Sequence, residues 1–347
     1  MSRARVGFLG VGWIGRHRME AMLATGAIDC VGIADPSAEM AGEAVKLAPG
    51  ARCVGSLDAL LDLGLDGVVI ATPSALHAEQ SIAALERGVA VFCQKPLGRT
   101  EAEVQAVIDA AKTADRLLGV DLSYRFTAGM QAIREKVQSG ALGRIYAANL
   151  VFHNAYGPDK PWFYDAALSG GGCVMDLGVH LVDLLLWTLD FPDAKNVSAR
   201  LFSGGQPLRS GSVEDYAAAM IDLAGGTTAQ LACSWRLPAG QDAVISAEFY
   251  GTEGGAALRN VNGSFYDFTA ELFFGTYRET LTTPPDAWGG RAAAAWAEAL
   301  AAKEGFAGST QGIAQTTRIL DRIYGREPVD TGSPKSALQE EVKELAV

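Results

Sequence analysis

Sulfur and imidazole are scarce in this chain. Five cysteines, Cys30, Cys53, Cys93, Cys173 and Cys233, stand far apart in 347 residues, and no C-x-x-C occurs. The odd count and wide gaps exclude a disulfide framework and a thiolate zinc site. Only four histidines are present, so no metal is assigned. Positive charge is short as well: 29 Lys and Arg face 40 Asp and Glu, for a formal charge of −11. A nucleic-acid partner needs a basic footprint, and an anionic membrane surface needs the same, so neither is expected. No apolar run approaches the ~18 residues of a membrane span. The N-terminus, Met1-Ser2-Arg3-Ala4-Arg5, enters an apolar strand pattern with no separate leader, which argues against a signal peptide. A cytoplasmic protein is expected.

What the chain has in excess is glycine: 40 residues, where average usage gives about 24 in this length. Glycine lets a backbone turn tightly and approach a ligand closely. The first third alternates short apolar runs with amphipathic stretches. Strands are expected at Val6–Leu9, Cys30–Ala34, Val68–Ala71, Ala90–Cys93 and Leu117–Asp121. Helices are expected over Gly15–Ala24, Glu39–Leu47, Ala75–Arg87 and Glu101–Ala114. Thr100 with Glu103 forms a capping box, Ser74 precedes a helix and Gly88 closes one. Alternating βα units with continuous apolar strands predict a parallel sheet covered on both faces.

After Leu122 the texture changes. A helix over Ala128–Gln138 is followed by alternating runs at Ile145–Phe152, Tyr216–Leu223, Thr227–Trp235, Val244–Tyr250 and Phe265–Phe274. Gly225-Gly226 reads as a hairpin turn. Helices over Arg291–Lys303 and Gly312–Tyr324 close the chain, and the polar stretch from Thr331 is expected to be loosely attached. Two domains follow: residues 1–122, a doubly wound dinucleotide-binding unit, and residues 123–347, an α+β unit with a large open, mostly antiparallel sheet. The overall class is α/β.

Gly10-Val11-Gly12-Trp13-Ile14-Gly15 is G-x-G-x-x-G between a strand and a helix. Its glycines serve the tight turn, the approach of a pyrophosphate and helix–strand packing. The helix N-terminus offers N–H groups and positive potential to phosphates. Asp35 ends the second strand twenty residues after Gly15, where a carboxylate accepts ribose hydroxyls and repels a 2′-phosphate. Pro36 and Ser37 supply no cation. NAD is therefore favoured over NADP.

Ala71-Thr72-Pro73-Ser74 and Gln94-Lys95-Pro96-Leu97 end two strands, on the side where open α/β sheets bind ligands. Lys95 is either a solvated strand-end lysine or a cleft residue, and Pro96 restricts its backbone. His77 caps, packs or touches a cofactor. Further on, Ser169-Gly170-Gly171-Gly172 precedes an apolar stretch in which one helix would align Asp176, His180 and Asp183 at i, i+4 and i+7. Polar groups facing one way in an apolar helix need partners or a cavity. The reading is either a buried Asp–His bond that locks the helix or a proton-transfer pair, since histidine titrates near neutrality.

Together these pieces resemble the glucose-fructose oxidoreductase / inositol dehydrogenase / rhizopine catabolism (Gfo/Idh/MocA) family. The resemblance rests on Gly10–Gly15, Ala71-Thr72-Pro73 with His77, Lys95-Pro96, and Gly170–Gly172 followed by Asp176-x-x-x-His180. It spans nearly the whole chain. It implies an N-terminal Rossmann domain and a C-terminal sheet domain that commonly carries the oligomer interface, giving a homodimer or homotetramer. It implies a catalytic set of Lys95, Asp176 and His180. His180 is the general base, Lys95 holds the substrate oxygen, and Asp176 binds a sugar hydroxyl. The implied cofactor contacts are Gly10, Gly12, Trp13, Ile14, Gly15, Asp35, Thr72, Pro73, His77, Gln94, Lys95 and Arg125. Tyr124, His153, Trp162, Asp176 and His180 are the substrate contacts, with Asn154 and Tyr156 offering further hydroxyl contacts from the strand edge.

Two positions depart from the family pattern. Gln94 stands where Glu usually precedes Lys-Pro, which removes a charge beside Lys95. Trp162 is followed by Phe163, Tyr164 and Asp165 in place of an arginine, so that loop is more aromatic and less cationic, as suits a carbohydrate ring. The activity implied is NAD-dependent hydride transfer at a hydroxyl carbon of a sugar, inositol or related polyol. The alternatives within the same fold are a glycoside-processing enzyme that retains its NAD and a non-enzymatic NAD sensor.

Overall fold

The computed structural model describes residues 3–307 and 310–326; the stretch from Thr331 lies outside the described residues. Two sheets carry the architecture. The first is built from β1 (Ala4–Leu9), β2 (Ile28–Ala34), β3 (Arg52–Val54), β4 (Gly67–Ile70), β5 (Ala90–Cys93) and β6 (Leu118–Val120). Its order is β3-β2-β1-β4-β5-β6, and every neighbouring pair is parallel. All four residues of β4 and of β5 are buried, as continuous apolar strands covered on both faces should be. The order reverses between β1 and β4, which opens a crevice at the carboxyl ends of these strands. This is the doubly wound Rossmann arrangement.

The connecting helices are α1 (Trp13–Ala24), α2 (Ala38–Leu47), α3 (Leu57–Leu61), α4 (Ser74–Glu86) and α5 (Glu101–Ala114). Thr100 caps α5 by accepting from the Glu103 N–H at 3.2 Å. The Glu103 carboxylate reaches back one residue further than a capping box requires, to the Arg99 N–H at 2.7 Å. Ser74 lies inside α4, whose cap is Pro73 without a side-chain bond. The short β3 and α3 escaped the sequence reading because Arg52 and Cys53 are exposed and supply no apolar run.

The second unit begins with α6 (Ala128–Gln138) and β7 (Ile145–Asn154). Then come α7 (Ala166–Ser169), a π-turn over Val174–Gly178 and α8 (Val179–Thr188). The remaining strands are β8 (Ala194–Ser203), β9 (Gln206–Pro207), β10 (Tyr216–Leu223), β11 (Thr228–Ser234), β12 (Ala243–Gly251), β13 (Gly255–Asn260), β14 (Phe268–Phe274) and β15 (Tyr277–Thr282). They form a nine-stranded sheet, β15-β14-β13-β12-β7-β11-β10-β8-β9, in which only β7 and β11 run parallel. Gly225 and Gly226, both at positive φ, turn the β10–β11 hairpin. One face alternates Leu150, Phe152, Ile221, Leu231, Ile245 and Phe249 into a core with α6 and α8. The other face shows half-exposed Asn149, Val151, Ala218 and Ala232 to solvent. Strand β8 was not read from sequence because Lys195, Asn196, Ser198 and Arg200 line it with polar side chains.

The run from Ala166 to Thr188 is long and apolar enough to cross a membrane by length and composition, yet 89% of its apolar window is buried inside this fold. It comprises α7, the π-turn and α8, which form the buried centre of the second unit.

The closing helices, α9 (Arg291–Ala301) and α10 (Gln311–Ile323), do not stay with the sheet that precedes them. Helix α9 packs beneath the first sheet beside α1, and Trp296 meets Phe92 with ring centroids 5.7 Å apart. Helix α10 divides its apolar residues: Ile313 and Ala314 join the core under α5, and Ile319, Leu320 and Ile323 join the second core. Helix α9 thus packs by contact with the first unit, although it follows the second sheet along the chain. Trp296→Ala should lower the unfolding free energy by about 3–5 kcal/mol. Urea titration of the variant measures this, and a change under about 1 kcal/mol would place α9 outside the core.

Candidate active site

The glycine loop shows why each glycine is there. Gly10 has φ +81°, and a Cβ on it would lie 2.5 Å from the Ala71 carbonyl oxygen. A Cβ on Gly15 would lie 2.3 Å from the Gly10 oxygen, so helix α1 can close on β1 only without a side chain there. Nothing stands within 4 Å of a Cβ on Gly12, and no side chain caps α1. The first N–H groups of α1 thus face open space, as a pyrophosphate requires. Asp35 sits half-buried beside them. Its Oδ2 accepts from the Val11 N–H at 2.7 Å and its Oδ1 from the Ser37 N–H at 2.8 Å. A carboxylate has about four acceptor positions, so two remain for ribose hydroxyls. The loop, the bare helix end and the braced carboxylate fit a dinucleotide.

Thr72 and Pro73 stand at the end of β4, where the Thr72 hydroxyl donates to Gln80 at 2.6 Å. His77 departs from the expected cofactor contact. It is 1% exposed, and its ring bridges the Pro96 and Thr72 carbonyls at 2.6 and 2.7 Å. A neutral ring donates to one carbonyl at a time, and burial holds the His77 pKa below its ordinary value. Its work is to clamp the turns after β4 and β5 together.

Lys95 follows β5 in a cis peptide with Pro96. Its ammonium donates to the Asp176 carbonyl at 2.8 Å and to Asp176 Oδ1 at 2.7 Å. An ammonium has three donors, so one is left for a ligand. Asp176 also accepts, through Oδ2, the indole N–H of Trp235 at 3.1 Å. Trp235 is 3% exposed and was not singled out from sequence. A tryptophan ending an apolar strand reads as core, and only the fold aims its N–H at a carboxylate 59 residues away.

The single helix expected around Asp176 is interrupted. The Val179 N–H reaches back five residues to Val174, which marks a π-turn over Val174–Gly178. The three polar residues consequently part company. Asp176 meets Lys95, His180 faces the cleft, and Asp183 pairs with Arg125. Arg125 was expected against the nicotinamide or the substrate. Instead its guanidinium forms a two-point ion pair with Asp183, which is 1% exposed, and lies over the Phe191 ring. The Asp183 carboxylate pKa is raised by burial against the opposing pull of Arg125.

His180 and Lys95 line one cleft of about 770 Å³ with Trp13, Ile14, Gln94 and Tyr124. Trp13 is 61% exposed at its edge. The His180 ring packs against Tyr124 at 4.8 Å between centroids, and its buried Nδ1 has no hydrogen-bond partner among the described residues. Burial, then the charges of Lys95 and Arg18, hold its pKa well below the ordinary histidine value. The ring is therefore neutral at neutral pH, the form a general base must have. Burial raises the Tyr124 phenol, which stays protonated.

Two expected substrate contacts lie elsewhere. His153 is on the opposite face of the nine-stranded sheet from the cleft, bonded to Ser234 at 2.8 Å and stacked on Tyr216. The period-two alternation of β7 sends Phe152 to the core and its neighbour outward. Asn154 turns its side-chain oxygen to the Tyr156 N–H, and the Tyr156 hydroxyl donates to Asp242 at 2.5 Å. Trp162 does not line the cleft. It stacks on Phe163 at 3.8 Å, and Phe163 meets Trp235 edge-on, so the aromatic loop reaches Asp176 through Trp235. A second concavity of about 770 Å³ on the open sheet face is lined by none of Lys95, Asp176 and His180.

A buried glutamate anchors this machinery. Glu214, wholly buried, accepts from the Gly172 and Val174 N–H groups at 2.9 Å and from the Tyr324 hydroxyl at 2.8 Å. A Cβ on Gly172 would lie 1.9 Å from the Glu214 carbonyl oxygen, which explains a glycine there. Glu214 thus caps the entry to the turn that carries Asp176. Glu214→Gln puts a donor against N–H groups and should cost about 1–3 kcal/mol in chemical denaturation. An unchanged midpoint would remove Glu214 from this role.

Residues 4–122 match an oxidoreductase family with an NAD-binding Rossmann fold, and residues 130–257 match the GFO/IDH/MocA C-terminal domain. The chain is 32% identical over 262 residues to a 1,5-anhydro-D-fructose reductase of Ensifer adhaerens, covering 74% of this chain and 76% of that one. It is 30% identical over 211 residues to a D-glucoside 3-dehydrogenase of Escherichia coli (strain K12), a match spanning 57% of this chain and 60% of that relative, less than two thirds of its length. A levoglucosan dehydrogenase solved with NADH and levoglucosan shares the fold at a TM-score of 0.80 and 23% identity, over 93% of this chain and 97% of that one. A 3-ketoreductase from Actinomadura kijaniata solved with NADP and TDP-benzene does so at 0.81 and 22%, over 93% and 98%. With both halves matched in order along the Rossmann and sheet units described above, the chain belongs to the GFO/IDH/MocA family of oxidoreductases.

Proposed function

We propose that the protein is an NAD-dependent dehydrogenase acting on a hydroxyl carbon of a sugar, inositol or related polyol. The observation that carries this is the Lys95–Asp176 contact, set in one cleft with a neutral His180 and reached from the glycine loop. Relatives named as glucoside, levoglucosan and inositol dehydrogenases support the substrate class.

The substrate hydroxyl lies between His180 and the spare N–H of Lys95. His180 accepts the hydroxyl proton, and Lys95 stabilises the alkoxide as its charge develops. Asp176, held by Lys95 and Trp235, keeps acceptor capacity for a neighbouring hydroxyl. NAD bound at the loop supplies the hydride acceptor. Asp35 accepts the ribose hydroxyls and disfavours a 2′-phosphate. The half-exposed face of the nine-stranded sheet, with Tyr146 and Met220 outward, serves homodimer or homotetramer contacts.

A panel of sugars, inositols and sugar acids with NAD, followed at 340 nm, tests the reading. A rise with one class is expected, and failure of NAD to bind at millimolar concentration would sink it. His180→Ala should lower kcat by about 10²–10⁴-fold with NADH affinity unchanged by fluorescence titration. The base must be neutral, so alcohol oxidation falls as pH drops through the depressed His180 pKa. That acid limb lies below the ordinary histidine range and disappears in His180→Ala. Asp35→Ala should narrow the preference for NAD over NADP in paired Kd measurements; an unchanged ratio would refute the ribose assignment.

A further inference from the structure

A buried polar cluster forms the cleft wall beside Lys95, and apart from the charge of Arg18 near His180 the mechanism above uses none of it. Its centre is Asp121, 2% exposed, just past the end of β6. Asp121 Oδ2 accepts from Arg18 Nε at 2.5 Å and from Gln94 Nε2 at 2.7 Å. Oδ1 accepts from the Ser123 hydroxyl, whose oxygen also receives Arg18 at 3.2 Å. Arg18 is 6% exposed and comes from α1; Gln94 is 7% exposed and ends β5. Three elements that border the crevice are thus joined through one carboxylate.

The carboxylate decides which way the Gln94 amide points. Turned over, Gln94 would set its own oxygen 2.7 Å from Asp121, acceptor against acceptor. With Nε2 committed to Asp121, Oε1 is the amide's remaining group, and no hydrogen bond from the described residues ends on it. Gln94 lines the cleft next to Lys95. A glutamate at 94 would place two carboxylates at that same distance, and one would have to take a proton. Arg18 balances the single charge that is present.

We propose that Asp121 and Arg18 are positioning residues that fix the polarity of the Gln94 amide, so that its Oε1 accepts from a ligand amide, the carboxamide of the nicotinamide ring. This rests on the NAD reading given above. It also accounts for glutamine at 94: the acceptor is kept while two like charges are kept apart.

The test uses NADH and the reduced 3-acetylpyridine analogue, which lacks the carboxamide N–H. Their Kd values are compared by fluorescence titration of the full chain. The wild type should bind NADH about 2- to 10-fold more tightly than the analogue. Gln94→Met, which keeps size and removes Oε1, should bring the ratio close to one. Asp121→Leu should do the same, because no acceptor then holds the amide nitrogen. Should that variant fail to fold with Arg18 unpaired, Arg18→Met with Asp121→Leu removes both charges and carries the measurement. An equal Kd for both nucleotides in the wild type would overturn the contact. A ratio lost in Gln94→Met but kept in the Asp121 variants would overturn the positioning role. Absence of any NADH binding would instead refute the NAD reading on which the inference rests.

Discussion

The bond between the Lys95 ammonium and Asp176 is the constraint on which the rest depends. It joins the end of a parallel strand to the π-turn of a helix in the other unit, 81 residues away. Each side chain is about one fifth exposed, so desolvation and attraction both act at partial strength. Its value is geometric more than energetic. Lys95 can hold a substrate oxygen only if β5 and the π-turn are held in register, and each is braced from behind. On one side His77 clamps the turns after β4 and β5. On the other, Glu214 caps the chain entering the π-turn and Trp235 holds the second carboxylate oxygen.

The charges around this bond are arranged in near-neutral groups. Asp176 answers Lys95, Asp121 answers Arg18, and Asp183 answers Arg125. Each of these three carboxylates therefore has a cation beside it, whereas buried Glu214 is held by backbone N–H groups and the Tyr324 hydroxyl alone. His180 is the exception, with an orphan Nδ1 and two cations in its neighbourhood. Those cations and its burial oppose an imidazolium. The same cations favour the alkoxide left when an alcohol gives up its proton, while they make His180 a weaker base than an ordinary histidine.

Much of this was legible before any tertiary structure. Period and punctuation marked most of the first sheet, since short apolar runs between capped helices have few other solutions. The elements missed were the exposed β3 and the polar-faced β8, where burial on one side leaves little apolar signal. The glycine loop was readable because backbone geometry demands glycine at those positions. His77 and Arg125 are engaged with the scaffold, and one reason hid this in the sequence. A polar residue near a ligand site looks the same in sequence whether it faces the ligand or holds the scaffold. His153 was misplaced by a single step of strand alternation.

The sequence by itself determined the order of elements and the dinucleotide loop, because these depend on local spacing, which is written along the chain. Lys95, Asp176 and His180 were ambiguous by spacing, and only the family resemblance joined them into one set. Only the tertiary structure decided that Asp176 and Asp183 turn to different partners, that Trp235 and Glu214 support the site, and that α9 returns beneath the first sheet. Those facts depend on contacts between residues 40 to 200 apart and on one extra residue in a helical turn. Neither leaves a periodic mark, because a side chain's partner is chosen by packing in three dimensions.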